Sequence, residues 1–115
     1  MISPYVFVGL KSTPITVADP TDLFNTLLRH LSIELFIDDP QKVLSTNRSR
    51  SYVECRQMIA YTLRKKYNMT CVKVGHLLGN RHHTTIVHNT NMHRNDYKLC
   101  EKYREIYDRV CKHLL

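Results

Sequence analysis

The sequence predicts an all-α fold, a compact helical bundle preceded by a short extended N-terminal arm. Apolar residues recur at intervals of three or four from Leu23 onward, the period of a buried helix face. A strand-like pattern is confined to Tyr5–Val8. With 115 residues, the chain has room for one hydrophobic core. We therefore expect an arm over residues 1–18 and a single domain over residues 19–115.

Helix-start signals organise the first half of the bundle. Asp19–Asp22 supplies a capping side chain, a proline at the first position and an acid in the first turn. The leucines of Leu23–Leu35 then recur every four residues, and Asp39-Pro40 repeats the start signal for a short turn. Ser51–Glu54 is typical of a capping box and predicts another helix. The residues that this helix would bury are Cys55, Ile59 and Leu63.

The second half contains a short helix, a turn and two further helices. Thr70 predicts the cap of the short helix, and Gly79-Asn80 predicts a tight turn because both residues tolerate positive φ. The next helix is expected to begin near Arg81 or His82, with His88 in a structural role inside it. Its predicted buried residues are Ile86 and Val87. A last helix from about Tyr97 has the predicted stripe Leu99, Tyr103, Tyr107, Val110 and Leu114.

A short helix, a glycine turn and a second helix that opens with polar residues are typical of a helix-turn-helix. The first turn of the second helix would present Arg81, His82, His83, Thr84 and Thr85. Arginine can donate to guanine, histidine can donate or accept, and a threonine methyl can contact a thymine methyl. These residue types favour reading of base edges in the major groove. An αα-hairpin with an incidentally polar N-terminus is the alternative.

The distribution of charge points to a polyanionic partner. The chain carries a net charge of +7, but residues 1–42 sum to −2 and residues 43–115 to +9. Within residues 48–94, nine basic side chains face one acid, Glu54. Such a stretch repels itself, and phosphates would relieve that repulsion by exchanging counterions. A solvated basic face with no partner is the other interpretation.

Several classes of protein are disfavoured. No apolar run is long enough to cross a bilayer, and the N-terminus lacks the pattern of a secretory signal, so we expect a cytoplasmic protein. The four cysteines show no CxxC spacing and are expected to be reduced thiols. His83, His88 and His93 lie five residues apart and would fan around a helix, so no metal is expected. Gly9–Ser12 lacks the earlier glycine of a phosphate loop, so no cofactor follows from it.

The basic region also argues against catalysis. A magnesium-dependent nuclease needs several carboxylates, and this region has one, so we expect that the chain is not an enzyme. An RNA or single-strand binder remains as an alternative. It is disfavoured because no exposed aromatic pair alternates with the basic residues.

Four strings resemble the C-terminal DNA-binding domain of the DnaA family of bacterial replication initiators. They are Arg48-Ser49-Arg50-Ser51, Arg56-Gln57-Met58, Val74-Gly75 and Gly79-Asn80-Arg81-His82-His83-Thr84-Thr85-Ile86-Val87-His88. The family has approximately S-x-x-R, R-Q-x, I-G and G-G-R-D-H-T-T-V-x-H there. The correspondence from Val43 to His88 needs no gap and covers 46 of the 115 residues.

The resemblance implies a Trp-repressor-like helix-turn-helix that binds short origin elements called DnaA boxes. It implies that Arg48 enters the minor groove, that His83 and Thr84 read bases, and that four further residues face phosphates: Arg56, Gln57, Arg64 and Thr85. From the residues themselves we add Arg81 and His82 as base-binding candidates, and Arg50 and Lys73 as phosphate-binding candidates. His82 stands where the family has an acid, and Asn80 replaces the second turn glycine. We therefore expect the docking mode of the family with a sequence preference that can differ.

A chain of this length without a phosphate loop cannot supply the ATPase module of an initiator. We expect a stand-alone, sequence-specific binder of double-stranded DNA, monomeric on its site, that takes part in replication control. It would be encoded by a bacterium or phage and be associated with the nucleoid. An initiator or another replication protein would be a competitor or partner. A DNA-binding or recruitment subunit of a phage or mobile element is the alternative role.

Overall fold

The computed structural model describes residues 20–114, with the side chains of residues 20–113. Its elements are α1 (Pro20–Glu34), a 3₁₀ helix (Pro40–Leu44), α2 (Arg50–Lys65), α3 (Cys71–Leu77), α4 (His83–Leu99) and α5 (Glu101–Leu114). All regular elements of this described range are helical, which confirms the predicted all-α bundle. None of these helices is long and apolar enough to cross a membrane. The predicted arm and the predicted cap Asp19 lie outside the described residues.

Helix α2 lies at the centre of the bundle and packs against α1, the 3₁₀ helix, α3 and α4. The predicted core residues Cys55, Ile59 and Leu63 are fully buried. The prediction of a capping box at Ser51–Glu54 is wrong, because α2 begins at Arg50 and its N-cap residue Ser49 makes no side-chain capping bond. Glu54 pairs instead with Arg50 one turn away, with the Arg50 Nε and Glu54 Oε2 atoms 3.3 Å apart. An ion pair at this spacing stabilises the first turn in place of the cap.

Helices α3 and α4 form the predicted helix-turn-helix. The Thr70 hydroxyl caps α3 by accepting from the Lys73 N–H (3.1 Å). Gly79 and Asn80 both have positive φ, +90° and +58°, as predicted. The two helices meet at Gly75, whose carbonyl accepts from the Arg81 N–H at 2.8 Å. A Cβ at Gly75 would lie 2.2 Å from the Arg81 carbonyl oxygen, so the close approach of α4 requires glycine.

Helix α4 is longer than predicted, because it continues through Tyr97 to Leu99. Ile86 is buried as expected, but Val87 is 44% exposed and Leu99 is 81% exposed, so their predicted burial is wrong. The face of α4 that packs inward follows Ile86 with polar residues, namely Asn89, Thr90 and His93. Val87 is turned about 100° away from that face, which places it toward solvent.

Helix α5 closes the bundle with the predicted residues Tyr103, Tyr107 and Val110, all buried. The Tyr103 hydroxyl lies 2.7 Å from Nδ1 of His93, a buried side chain of α4. The His93 ring also stacks on Tyr61, with ring centroids 4.2 Å apart. Burial, together with the nearby charge of Arg94, lowers the pKa of His93 to about 4. His93 is therefore neutral and part of the core.

Candidate nucleic-acid interface

The first turn of α4 presents exposed polar side chains beyond the glycine turn. His82 is the N-cap residue, and its Nδ1 accepts from the Thr84 N–H at 3.2 Å. The same Nδ1 lies 2.8 Å from the Thr84 hydroxyl oxygen. The rings of His82 and His83 lie against each other with centroids 4.2 Å apart. Three of the predicted base-binding residues, His82, His83 and Thr84, thus share one accessible surface.

Arg81, the fourth predicted base-binding residue of this segment, is half-buried and directed elsewhere. Its Nε–H donates to the Leu78 carbonyl at 2.9 Å. Its Nη2 group donates to the carbonyl of Ser45, which lies in the loop before α2. The guanidinium therefore connects the turn of the helix-turn-helix to that loop.

Arg56 and Gln57, two predicted phosphate-facing side chains of α2, are both buried, with 6% and 4% exposed. The Arg56 Nε–H donates to the Val43 carbonyl (2.6 Å) and its Nη2 group donates to the Ser45 carbonyl (2.7 Å). The Gln57 Oε1 atom is buried without a hydrogen-bond partner. Helical spacing alone does not reveal that the loop that follows the 3₁₀ helix folds over Arg56.

We define the loop clamp as Arg56, Arg81 and the Ser45 carbonyl that both guanidinium groups share. Burial lowers the pKa of both arginines, and the charge of Arg81 lowers the pKa of Arg56 further. Backbone packing supports the clamp, because a Cβ at Gly79 would lie 2.4 Å from the Leu44 carbonyl oxygen. The clamp and this contact together hold the loop against the helix-turn-helix.

A groove of about 410 Å³ separates the loop from α4. Its lining residues are Thr46, Arg48, Val53, Arg56, Arg81, Thr85 and Asn89. This part of the described chain thus contributes three guanidinium groups and no carboxylate to the lining. Four predicted site residues, one from the loop, one from α2, one from the turn and one from α4, are brought together here.

Sequence reasoning missed two polar residues of the groove, Thr46 and Asn89. Asn89 is buried, and its Nδ2 donor has no hydrogen-bond partner in the described structure. It follows Thr85 by four residues on α4, so the helical repeat from a predicted phosphate-binding residue could have identified it. Thr46 carries no comparable signal, because its position depends on the path of the loop.

The remaining candidates lie outside the groove. Arg50 is paired with Glu54 and lines a different cavity with residues of α5. Arg64 donates from Nη1 to the Met69 carbonyl (2.8 Å), and Lys73 is exposed in the first turn of α3. His88 is exposed, so its predicted structural role is wrong.

The cysteines and histidines assemble no metal centre in the described range. Residues 20–114 contain no group of three or more His, Cys, Asp or Glu side chains placed to hold an ion. The four cysteines are unpaired, with Cys55 buried and the other three half-buried. Burial raises the pKa of the Cys55 thiol to about 12, so this thiol is protonated at neutral pH.

Comparison with known proteins identifies the family to which this chain belongs. A model described as the bacterial dnaA protein helix-turn-helix matches residues 33–92, a range that includes the loop clamp, the groove and the first turn of α4. The chromosomal replication initiator protein DnaA of Herpetosiphon aurantiacus is 35% identical over a 99-residue alignment, which covers 74% of this chain and 21% of that protein.

Two further relatives carry the same description. The DnaA protein of Lachnoclostridium phytofermentans is 30% identical over 79 residues, 69% of this chain and 17% of its own length. That of Clavibacter sepedonicus is 30% identical over 94 residues, 82% of this chain and 18% of its own length. The chain thus spans about a fifth of the length of these relatives. It belongs to the family of bacterial DnaA helix-turn-helix domains.

Proposed function

We propose that this chain binds double-stranded DNA, with α4 as its recognition helix and the groove as its phosphate site. The observation that carries this proposal is the convergence of Arg48, Arg56 and Arg81 on a groove whose described lining has no carboxylate. Arg56 and Arg81 hold their charges partly out of water with no acid in that lining, which is costly. A phosphate oxygen at this place would supply the missing negative charge through charge-assisted hydrogen bonds.

The exposed first turn of α4 supplies the base-reading residues of the proposal. His82, His83 and Thr84 enter the major groove, where a helix N-terminus reaches base edges. Arg48, on the exposed loop, reaches the adjacent minor groove. The loop clamp keeps that loop at a constant distance from α4, so the two readers act on neighbouring base pairs. Arg81 is in this scheme a positioning residue.

Phosphate contacts fix the register of the complex and carry no sequence information of their own. Thr85 and Asn89 donate to the phosphate held in the groove, with Arg56 beneath it. Lys73 and Arg64 flank the helix-turn-helix and add charge toward the same backbone. Arg50 contributes less, since Glu54 already pairs with it.

The sites bound are DnaA-box-like elements, because the relatives are chromosomal replication initiators. The 115-residue chain is sufficient for binding as a monomer and takes part in replication control by occupying such sites in the nucleoid, without hydrolysing ATP. An initiator or another replication protein would compete with it or join it there.

The test is a fluorescence-anisotropy titration of the 115-residue chain with a duplex that contains a DnaA-box-like element. The logarithm of the binding constant should fall linearly with the logarithm of salt concentration, with a slope of about −0.9 per phosphate contact. Arg48→Gln should flatten this slope more than Arg50→Gln, a matched loss of charge two residues away that is already paired. Absence of duplex binding at low salt, or tighter binding of single-stranded DNA or RNA, would contradict the proposal.

A further inference from the structure

The cap of α4 is made by a histidine, where serine, threonine, aspartate and asparagine are the usual residues. The Nδ1 atom of His82 accepts the Thr84 N–H, so this nitrogen carries no proton. A neutral imidazole has one N–H group, which must then be on Nε2. The capping bond thus favours the Nε2–H tautomer in a side chain that is itself exposed on the proposed DNA-binding surface, and the Thr84 hydroxyl can donate to the same Nδ1.

We propose that His82 is a specificity-determining residue that presents a hydrogen-bond donor to the bases and disfavours cytosine at the base it contacts. The inference rests on the proposed function, since it concerns the same surface. It adds which base edges this surface prefers, namely those that offer a hydrogen-bond acceptor.

The orientation of the ring supports this role. Nδ1 is occupied on one edge by the Thr84 N–H and lies 2.8 Å from the Thr84 hydroxyl. The face of the ring lies against His83, with an angle of 33° between the ring planes. Nε2, the ring nitrogen farther from the backbone, donates to no group among the described residues. Thr84 and His83, which belong to the same helical turn, therefore hold the ring and its free Nε2–H donor in place.

Base chemistry then gives the preference. In the major groove guanine offers N7 and O6, adenine offers N7 and thymine offers O4, and each of these can accept from Nε2–H. Cytosine offers its N4 amino group, which is a donor. Two donors that face each other leave both without a partner, which weakens binding. An acidic cap at the same position would have the opposite preference, because a carboxylate accepts from the cytosine amino group.

The matched variants are His82→Asp and His82→Ser, since both residues are good N-caps and preserve the helix start. Aspartate replaces the donor with an acceptor, and serine removes the long side chain. Affinities are measured for duplexes that carry each of the four bases at every position of a selected site. For the wild type, we expect one position at which cytosine binds about three- to tenfold more weakly than the best base. The aspartate variant should bind cytosine best there, and the serine variant should differ little among the four bases.

A second measurement tests the tautomer without DNA. Long-range ¹⁵N–¹H correlation spectra distinguish the two neutral tautomers of a histidine ring. The His82 signals are assigned by their loss in His82→Ser. The expected pattern is that of Nε2–H, and the Nδ1–H pattern would overturn the inference.

Failure of this inference is distinguishable from failure of the proposed function. No binding of any duplex by the wild type contradicts the function itself. The other outcome is that the wild type binds tightly and His82→Asp, folded by circular dichroism, keeps the base preference of the wild type at every position. That result overturns the role of His82 alone.

Discussion

The two halves of helix α4 contain the same residue types in opposite surroundings. In the first half, His83 and His88 are exposed. In the second half, His93 is buried, stacks on Tyr61 of α2 and meets the Tyr103 hydroxyl of α5 at 2.7 Å. The neighbouring helices account for the difference, because α2 and α5 enclose the side chain of His93 and leave those of His83 and His88 open to solvent.

On the proposed function, this difference predicts that DNA recognition and stability are separable along one helix. Substitutions of the exposed side chains in the first half should change binding with little effect on folding. Substitutions in the second half should change the free energy of unfolding and leave the binding of the folded protein nearly intact.

The largest expected effect is that of His93→Ala. Removing the ring leaves a cavity beside Tyr61 and a buried Tyr103 hydroxyl without its partner, so the free energy of unfolding should fall by about 3 kcal/mol. His88→Ala, one and a half turns earlier on the same helix, should change it by less than about 0.5 kcal/mol. Urea unfolding followed by circular dichroism measures both, and equal losses would break the comparison.

Acid should act on the second half of α4 as well. The pKa of His93 is about 4 in the folded protein, below its ordinary value of 6.5. The unfolded chain therefore takes up a proton between pH 6.5 and pH 4 that the folded protein does not. The contribution of His93 is constant above about pH 6.5, and stability falls through this window by up to about 3 kcal/mol. The loss from this group ends below about pH 4.

The control for this prediction is His93→Phe, which keeps an aromatic ring and removes the titrating group. Its free energy of unfolding should depend less steeply on pH between 6.5 and 4 than that of the wild type. An identical slope in the two proteins would show that another group is responsible.

In the first half of α4, His83→Ala or Thr84→Ala should cost about 1–3 kcal/mol of binding on the preferred site. The same variants should bind random duplexes almost as well as the wild type, because base contacts carry the discrimination. Lys73→Ala, a loss of charge on the exposed face of α3, should weaken both DNAs alike. Equal losses on both DNAs for His83→Ala would remove that residue from the base-reading role.

The smallest effect, about 1 kcal/mol, is expected for Arg48→Lys, which extends the comparison to the loop. A phosphate contact needs positive charge alone, whereas a narrow A·T-rich minor groove also favours the flat, weakly hydrated guanidinium. The affinity for the selected site should fall, and A·T to G·C changes beside the core site should matter less than in the wild type. Unchanged affinity together with neutral flanking changes would leave Arg48 as a phosphate contact.

Local signals predicted the elements that depend on backbone chemistry. Asp39 accepts from the Gln41 N–H and caps the 3₁₀ helix, and Thr70 caps α3. Gly79, which has no Cβ, and Asn80, whose short polar side chain tolerates it, both adopt positive φ. Each of these preferences acts within four residues, so it can be recognised without knowledge of the rest of the fold.

Long-range contacts escaped prediction. Arg56 and Arg81 donate to a carbonyl 11 and 36 residues away, and helical spacing alone cannot show that a loop will cover a basic face. The inward face of α4 also escaped prediction, because it is polar after Ile86. Of its polar side chains, His93 meets Tyr61 and Tyr103 on other helices, whereas Thr90 donates to the Val87 carbonyl of α4 itself. Val87 and Leu99 look like core residues in the sequence, but the structure leaves both side chains exposed.

The sequence by itself determined that this chain is a helical bundle with a helix-turn-helix of the DnaA family, because periodicity, caps and the string around His83 are local properties of the chain. The tertiary structure decided which basic residues face solvent and which position the loop. The physical reason is that a guanidinium can be solvated by water, pair with an acid or donate to backbone carbonyls. Which of these occurs depends on the groups that the fold brings within hydrogen-bonding distance.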